Sequence, residues 1–416
     1  MLSLTAHRAA NGRFFLSALD VLREARWITR ERLMLCGWAF AVLSGFLLVW
    51  GVGFYTANGL TAANGEPLGP DFINYYAGAK VAALGEAPLA YDNERFLAFE
   101  QTVVGPSSQR IYSYPPTMML LSLPLALLSY VPALILWTLL GVGLAFAVLR
   151  PLVGWREAAV AVIGTPAAFL NLVDANTGFF TASLIGGGLM LLNRRPVVAG
   201  ICFGFLAYKP HLGLLLPVAL IADGRWRTVA AAAATVSLLL LASVALFGTG
   251  SWAAFIEQMA VNRSLLEMHH LWHWLLTVYV AARELGAPPA LSYALQTASA
   301  AAALAVIAIV WRRPGPVEVK AAALAVAIFL ATPYANGNDA VVLLFAAAWL
   351  GHEGMRTGFL AWERIAVVAL LLLPLLASTT SIFAGVQLAP FVLWLVLALL
   401  VRRALGNPAA PRAATA

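Results

Sequence analysis

The chain reads as an all-α membrane protein, a bundle of helices that crosses a bilayer many times, and three observations predict it. Hydrophobic residues fill 62% of 416 positions and charged residues only 11%, too little polar surface to cover a water-soluble globule. Apolar runs of helix length recur from residue 33 to residue 401. Arginines gather before the first run and in short loops between later ones, as on the cytoplasmic side of membrane proteins.

Arg8, Arg13, Arg23, Arg26, Arg30 and Arg32 precede the first run, so the net charge of +7 reads as membrane orientation and excludes a nucleic-acid footprint. Among them Phe14, Phe15, Ala18, Leu19 and Leu22 recur at helical spacing, which suits a basic amphipathic cytoplasmic segment over residues 1–32; a frayed basic tail fits equally well. The run from Leu33 to Thr56 is too long for a signal-peptide core and predicts a retained first span. Hydropathy drops over residues 57–114, which predicts a large first outer loop with short helices of its own. Further runs cover 116–128, 131–149, 157–172, 178–193, 196–222, 228–247, 290–311, 317–333, 339–351, 363–382 and 387–401. With the first span they give about twelve helices, a bundle over residues 33–401 and a cytoplasmic tail over 402–416.

Asp223-Gly-Arg-Trp-Arg227, Trp311-Arg-Arg-Pro314, the loop from Arg356 to Arg364, and Arg402-Arg403 all belong inside, which leaves 248–289 and 334–338 outside. Between 115 and 222 two threadings compete. The preferred one crosses twice over 115–149 and once over 196–222, although it strands Arg150, Arg156, Arg194 and Arg195 outside. Trp272 to Ala282 is short for a span and reads as a surface or re-entrant helix. Cys36 and Cys202 lack metal or redox spacing, and no cofactor motif is present.

Ionisable residues where apolar runs meet outer loops are costly and therefore candidates for function. Asp71, in Gly69-Pro-Asp-Phe-Ile-Asn-Tyr-Tyr-Ala-Gly78, leads them, with a plain helix cap as the alternative. Tyr112-Ser-Tyr-Pro-Pro-Thr117 closes the loop and starts a helix. Lys209, in Ala207-Tyr-Lys-Pro-His211, joins a cation to backbone groups freed by Pro210, a combination that suits a phosphate; a snorkelling lysine is the alternative. His269, His270 and His273 cluster beside Trp272 and Trp274 after Asn262; interfacial packing explains them better than a metal. Asp339 stands at the outer mouth of a helix, where it can act as a cap.

Six segments together carry a resemblance: Asp71-Phe-Ile-Asn-Tyr-Tyr-Ala-Gly-Ala79, Tyr91-Asp92, Tyr112-Ser-Tyr-Pro-Pro116, Gly178-Phe-Phe-Thr-Ala182, Lys209-Pro-His-Leu-Gly-Leu-Leu-Leu-Pro217 and Ala331-Thr-Pro-Tyr334. In number, order and spacing, from about residue 33 to residue 351, they resemble glycosyltransferase family 87. The resemblance implies a GT-C fold and a transfer from a polyprenyl-phosphate sugar, typically mannose, to a lipid or glycan acceptor. It also implies a bacterial inner membrane with the site facing the periplasm, and Asp71 matches the aspartate such enzymes carry in their first outer loop. The sequence departs from the family pattern at Asp174-Ala-Asn-Thr-Gly178, at Asn338-Asp339 and at His211.

A lipid-linked sugar phosphate already carries a leaving group, so one carboxylate base and groups that meet the phosphate are sufficient. The expected assignment is Asp71 as general base of an inverting transfer; Lys209, Arg110 and His211 at the donor phosphate; and Tyr75, Tyr76, Tyr112, Tyr114, Asn176, Asn262, the three histidines and Asp339 around the substrates. No metal and no cofactor are expected. The competing class is a transporter or flippase of a polyprenyl-linked or sugar lipid. It should show two related halves with paired broken helices, and the single large outer loop does not suggest them.

Overall fold

A computed structural model describes residues 19–108 and 111–406. The chain is an all-α polytopic membrane protein, with two isolated β-bridges and no strand among the described residues. Arg110 and most of the expected amphipathic segment, including Phe14, Phe15 and Ala18, lie outside the described residues, as do residues 407–416 of the tail.

Thr29 caps the first span, α1 (Arg30–Tyr55), by accepting a hydrogen bond from the Arg32 amide. The long loop after α1 then folds into α2 (Phe72–Ala83), a 3₁₀ turn at Ala87–Tyr91 and α3 (Asn93–Val104). Its interior is aromatic: Phe72, Tyr76, Phe96, Tyr112 and Tyr130 pack together, and Gly78 leaves room against the Tyr112 ring that a side chain would fill. The loop ends at α4 (Pro116–Ser122).

The remaining helices are α5 (Tyr130–Val153), the bent pair α6 (Trp155–Ile163) and α7 (Pro166–Asp174), α8 (Gly178–Leu191), α9 (Pro196–Gly204), α10 (Leu216–Ala222) and α11 (Trp226–Leu265). After them come α12 (Val278–Glu284), α13 (Pro289–Arg312), α14 (Val317–Ala331), α15 (Val341–Thr357), α16 (Glu363–Ala384) and α17 (Ala389–Leu405). Among the described residues five helices of 18 or more residues are apolar enough to cross a membrane, and a sixth crossing is available if α6 and α7, bent by 57°, count as one. Helices of 15–17 residues, α14, α15 and α17, complete the bundle beside them. The run at 116–128 is a short helix followed by a 3₁₀ turn, and the run at 196–222 is broken at Lys209. Every residue of α14 from Val319 to Ala331 is buried, so this helix forms the core that the others surround.

The two ends of the bundle differ in charge and decide the threading. At one end Arg30 pairs with Glu157, Arg364 bonds the Ile28 carbonyl, Arg403 pairs with Glu363, and Arg356 pairs with Glu353. At the other end the Asp71 amide bonds the Asp174 carbonyl and Ser113 bonds Asn262. Residues 130–153 thus cross once and 155–174 return, while 196–222 runs up to Lys209 and back. This reverses the threading preferred from sequence and places Arg156 with Arg30 at the arginine-rich end. The physical reason is Pro210, which breaks the helix and lets two short apolar halves share one deep turn.

Glu100 is a buried acid in α3, with neither carboxyl oxygen hydrogen-bonded among the described residues. Burial pushes its carboxyl from 4.5 up to about 8. Between these values the folded chain keeps a proton that the unfolded chain has released, so stability declines as pH rises through that window. Replacing Glu100 with Gln removes the titration. The thermal midpoint of the wild type should fall more than that of Glu100→Gln between pH 5 and pH 8; parallel curves would show that Glu100 is not held neutral.

Candidate active site

The residues around Asp71 are placed by two unusual pieces of backbone. Gly69 has φ of +68°, a conformation that costs a non-glycine residue about 1–2 kcal/mol, and it turns the chain so that Pro70 and Asp71 start α2. Ala175 is left-handed without being glycine, with φ of +49°, and the Trp137 indole nitrogen bonds its carbonyl at 3.0 Å. Strain of this kind is found where a turn must aim its neighbours, and Asp174 and Asn176 are those neighbours.

Asp71 stands at the N-cap of α2, yet its side chain makes no capping bond. Its Oδ2 instead accepts from the Asn176 side-chain amide at 2.6 Å and from the Asn338 amide at 3.4 Å. The plain-cap alternative is therefore excluded. Asn338 also donates to Asp174 at 2.8 Å, so one amide links two carboxylates. Burial pushes the Asp71 carboxyl above the usual carboxylate range; the Asn176 bond and the Lys209 charge pull it back, and Asp339 pushes it up.

Lys209 is 5% exposed, and its Nζ bonds Asp339 Oδ1 at 2.7 Å and Asn176 Oδ1 at 3.2 Å. It is not a snorkelling lysine, because its charge is balanced inside the protein. The cost of burying it is met by Asp339, the anion it pairs with. Asp339 also accepts from the Asn336 amide and completes a capping box, so it both caps a helix and holds the lysine. Asn176 lies between the two charged groups, with its oxygen toward Lys209 and its nitrogen toward Asp71. The cation polarises this amide and strengthens its bond to the carboxylate.

Asn171 and Gly178 support the floor. Asn171 donates to the Asn338 carbonyl at 2.5 Å, and a side chain at position 178 would strike that same carbonyl. Tyr75 and Tyr114 form the aromatic wall, with hydroxyls 2.9 Å apart and Lys209 Nζ 5.9 Å from the centre of the Tyr114 ring.

Other expected site residues are placed elsewhere. Tyr76 bonds the Leu128 carbonyl and packs on Tyr130, and Tyr112 is wholly buried against Tyr91 and Phe96; both serve the loop core rather than a substrate. His211 faces Tyr334 in the turn after Lys209. Asn262 accepts from Ser113. The 3₁₀ turn His269–Trp274 sets His269 edge-on to Trp272 and His273 at a tilt to Trp274, and no described hydrogen bond joins these histidines to Asp71, Lys209 or Asp339. Among the described residues no group of three or more His, Cys, Asp or Glu could hold a metal ion. Sequence reasoning missed Asp174 and Asn338 as members of the cluster. The signal available was the polar run Asp174-Ala-Asn-Thr177 between two apolar helices.

A sequence model of glycosyltransferase family 87 matches residues 112–333, more than half of the chain. The chain belongs to glycosyltransferase family 87. It is thus a membrane-embedded transferase, and the family-87 match takes in Asp174, Asn176 and Lys209. Asp71 and Asp339 lie outside the matched residues, and hydrogen bonds bring them to the matched ones. No curated protein and no solved structure matches the chain.

Proposed function

We propose that this family-87 enzyme moves a sugar, mannose by family resemblance, from a polyprenyl-phosphate carrier to an acceptor hydroxyl with inversion, and that Asp71 is the general base. The arginine-rich end faces the cytoplasm and the Asp71 end faces the periplasm of a bacterial inner membrane, as the distribution of positive charge favours. The observation that carries the assignment is the Asp71 carboxylate, held through Oδ2 by Asn176 and Asn338. Its Oδ1 takes none of the described hydrogen bonds and is the proton acceptor.

The acceptor oxygen attacks the anomeric carbon, the bond from that carbon to the phosphate oxygen breaks, and polyprenyl phosphate departs with the electron pair. Asp71 takes the acceptor proton as its nucleophilicity is needed, a contribution of about 10²–10⁴-fold. Lys209 acts through Asn176 and Asp339 as a positioning residue. Tyr114, only partly buried, offers the sugar a ring face and a hydroxyl, with Tyr75 buried behind it and bonded to that hydroxyl, while His211 and Arg110 are assigned to the donor phosphate. A transporter or flippase would need no base, and family membership favours the transferase.

The test is a panel of sugar donors offered to the purified protein. Release of free polyprenyl phosphate coupled to product is expected from polyprenyl-phosphate sugars and not from nucleotide sugars; the reverse preference overturns the proposal. Chelators are expected to leave turnover unchanged, because the cluster lacks a metal-binding donor set; loss of activity with recovery by one divalent ion would reverse that expectation.

Asn176 gives a second test with a sign. Its hydrogen bond lowers the pKa of Asp71, so Asn176→Ala raises it, and a base that works ionised then needs a higher pH. The acid limb of the pH–rate profile should move to higher pH in the variant. A lower plateau with an unmoved limb would instead mark Asn176 as a substrate contact.

A further inference from the structure

The arginine-rich end, remote from Asp71, carries a hollow that the transfer reaction does not use. It has a volume of about 650 Å³, within the range of small-molecule sites, and lies between the start of α1, the end of α5, α6, the end of α15 and the start of α16. Its walls are apolar, with Leu33, Leu149, Val160, Leu344 and Leu371 among them. Gly351 also lines it, and a side-chain carbon added there meets nothing within 4 Å, so the space is open.

Arginines surround its mouth. Arg26, Arg30 and Arg364 line the hollow, and an adjoining one of about 700 Å³ shares Arg30 and Glu157 and adds Arg156. Glu157 and Glu31 are the acids that line the two hollows, against four arginines. Arg30 spends Nε and Nη2 on Glu157, and Arg364 spends Nη1 on the Ile28 carbonyl. A guanidinium has five N–H donors, so both keep donors in reserve. Among the described residues Arg26 pairs with the exposed Glu24, and Arg156 lies over the Trp155 ring.

We infer that this end holds an anionic phospholipid, with one acyl chain in the hollow and the phosphate on Arg26, Arg30 and Arg156. Two features select this occupant. The surplus of arginine matches a phosphate, whose oxygens the planar guanidinium fork meets in pairs. The apolar hollow directly beneath needs a hydrocarbon chain, which free phosphate lacks. Basic pockets between membrane helices on the cytoplasmic side are suited to acidic head groups for the same reasons.

Native mass spectrometry of the full chain in detergent tests the inference, with equal amounts of phosphatidylglycerol and phosphatidylcholine offered. The wild type should retain phosphatidylglycerol at least about tenfold over phosphatidylcholine, equivalent to about 1.4 kcal/mol. Arg26→Gln with Arg156→Gln removes two mouth charges that hold no buried acid, and should bring the ratio to near one. Gly351→Leu fills the hollow and should remove the retained lipid of either kind. Arg312→Gln with Arg313→Gln, an equal loss of charge at the exposed end of α13, should change nothing. Equal retention of the two lipids by the wild type, an unchanged ratio in the double variant, or full retention in Gly351→Leu overturns the inference. Displacement of phosphatidylglycerol by millimolar inorganic phosphate does so too, because the head group alone would then account for binding.

Discussion

Asp71→Asn should leave a folded protein that binds donor and transfers sugar at least about 10²-fold more slowly. The amide has the size of the carboxylate, and its oxygen can still accept from Asn176 and Asn338. It cannot take a proton. Stability should hold or rise slightly, since burial disfavours the charge at this position. A pure helix-cap role would show the opposite pattern, a loss of about 1 kcal/mol with activity kept. Turnover and thermal unfolding measured on the same preparation separate the two, and near-normal turnover removes Asp71 from the chemistry.

The second large effect is expected at Lys209. The pair with Asp339 is buried on both sides, with the lysine side chain 6% and the aspartate 2% exposed. Lys209→Met strands a charge in the interior, which costs about 3–5 kcal/mol when one partner of a buried pair is deleted. It also frees the Asn176 oxygen, so Asp71 loses its aim and transfer slows. Adding Asp339→Asn removes the stranded charge and should recover most of the stability while leaving transfer slow, because Asn176 still lacks its anchor. Unfolding and turnover of the single and double variants decide the matter. A Lys209→Met protein as stable as the wild type but weak in donor binding would return the lysine to the phosphate.

The membrane class, the polar loop after the first span and the placement of Asp71 and Lys209 where apolar helices break were legible from sequence because each leaves a local mark. Apolar composition, a drop in hydropathy and a charge inside an apolar run are all visible without a partner. The threading between 115 and 222 was not, because Pro210 makes two short half-crossings from what reads as one long run. The true partner of Lys209 was hidden for a different reason: Asp339 lies 130 residues away, and a contact at that separation leaves no spacing signal. Hydrogen-bond partners separated the tyrosines. The Tyr75 and Tyr114 hydroxyls bond each other, whereas Tyr76, from the same motif as Tyr75, bonds the Leu128 carbonyl, and Tyr112, from the same motif as Tyr114, packs on Tyr91 and Phe96.

The chemistry assigned to Asp71 has one stereochemical consequence. A lone base that activates the acceptor for a single displacement reverses the configuration at the anomeric carbon. The most direct measurement is the anomeric configuration of the product formed by the wild-type enzyme from a polyprenyl-phosphate sugar of known configuration, read by nuclear magnetic resonance. Inversion is the expected result. Retention would require two successive displacements through a covalent sugar on the enzyme, and would contradict the role of Asp71 as base.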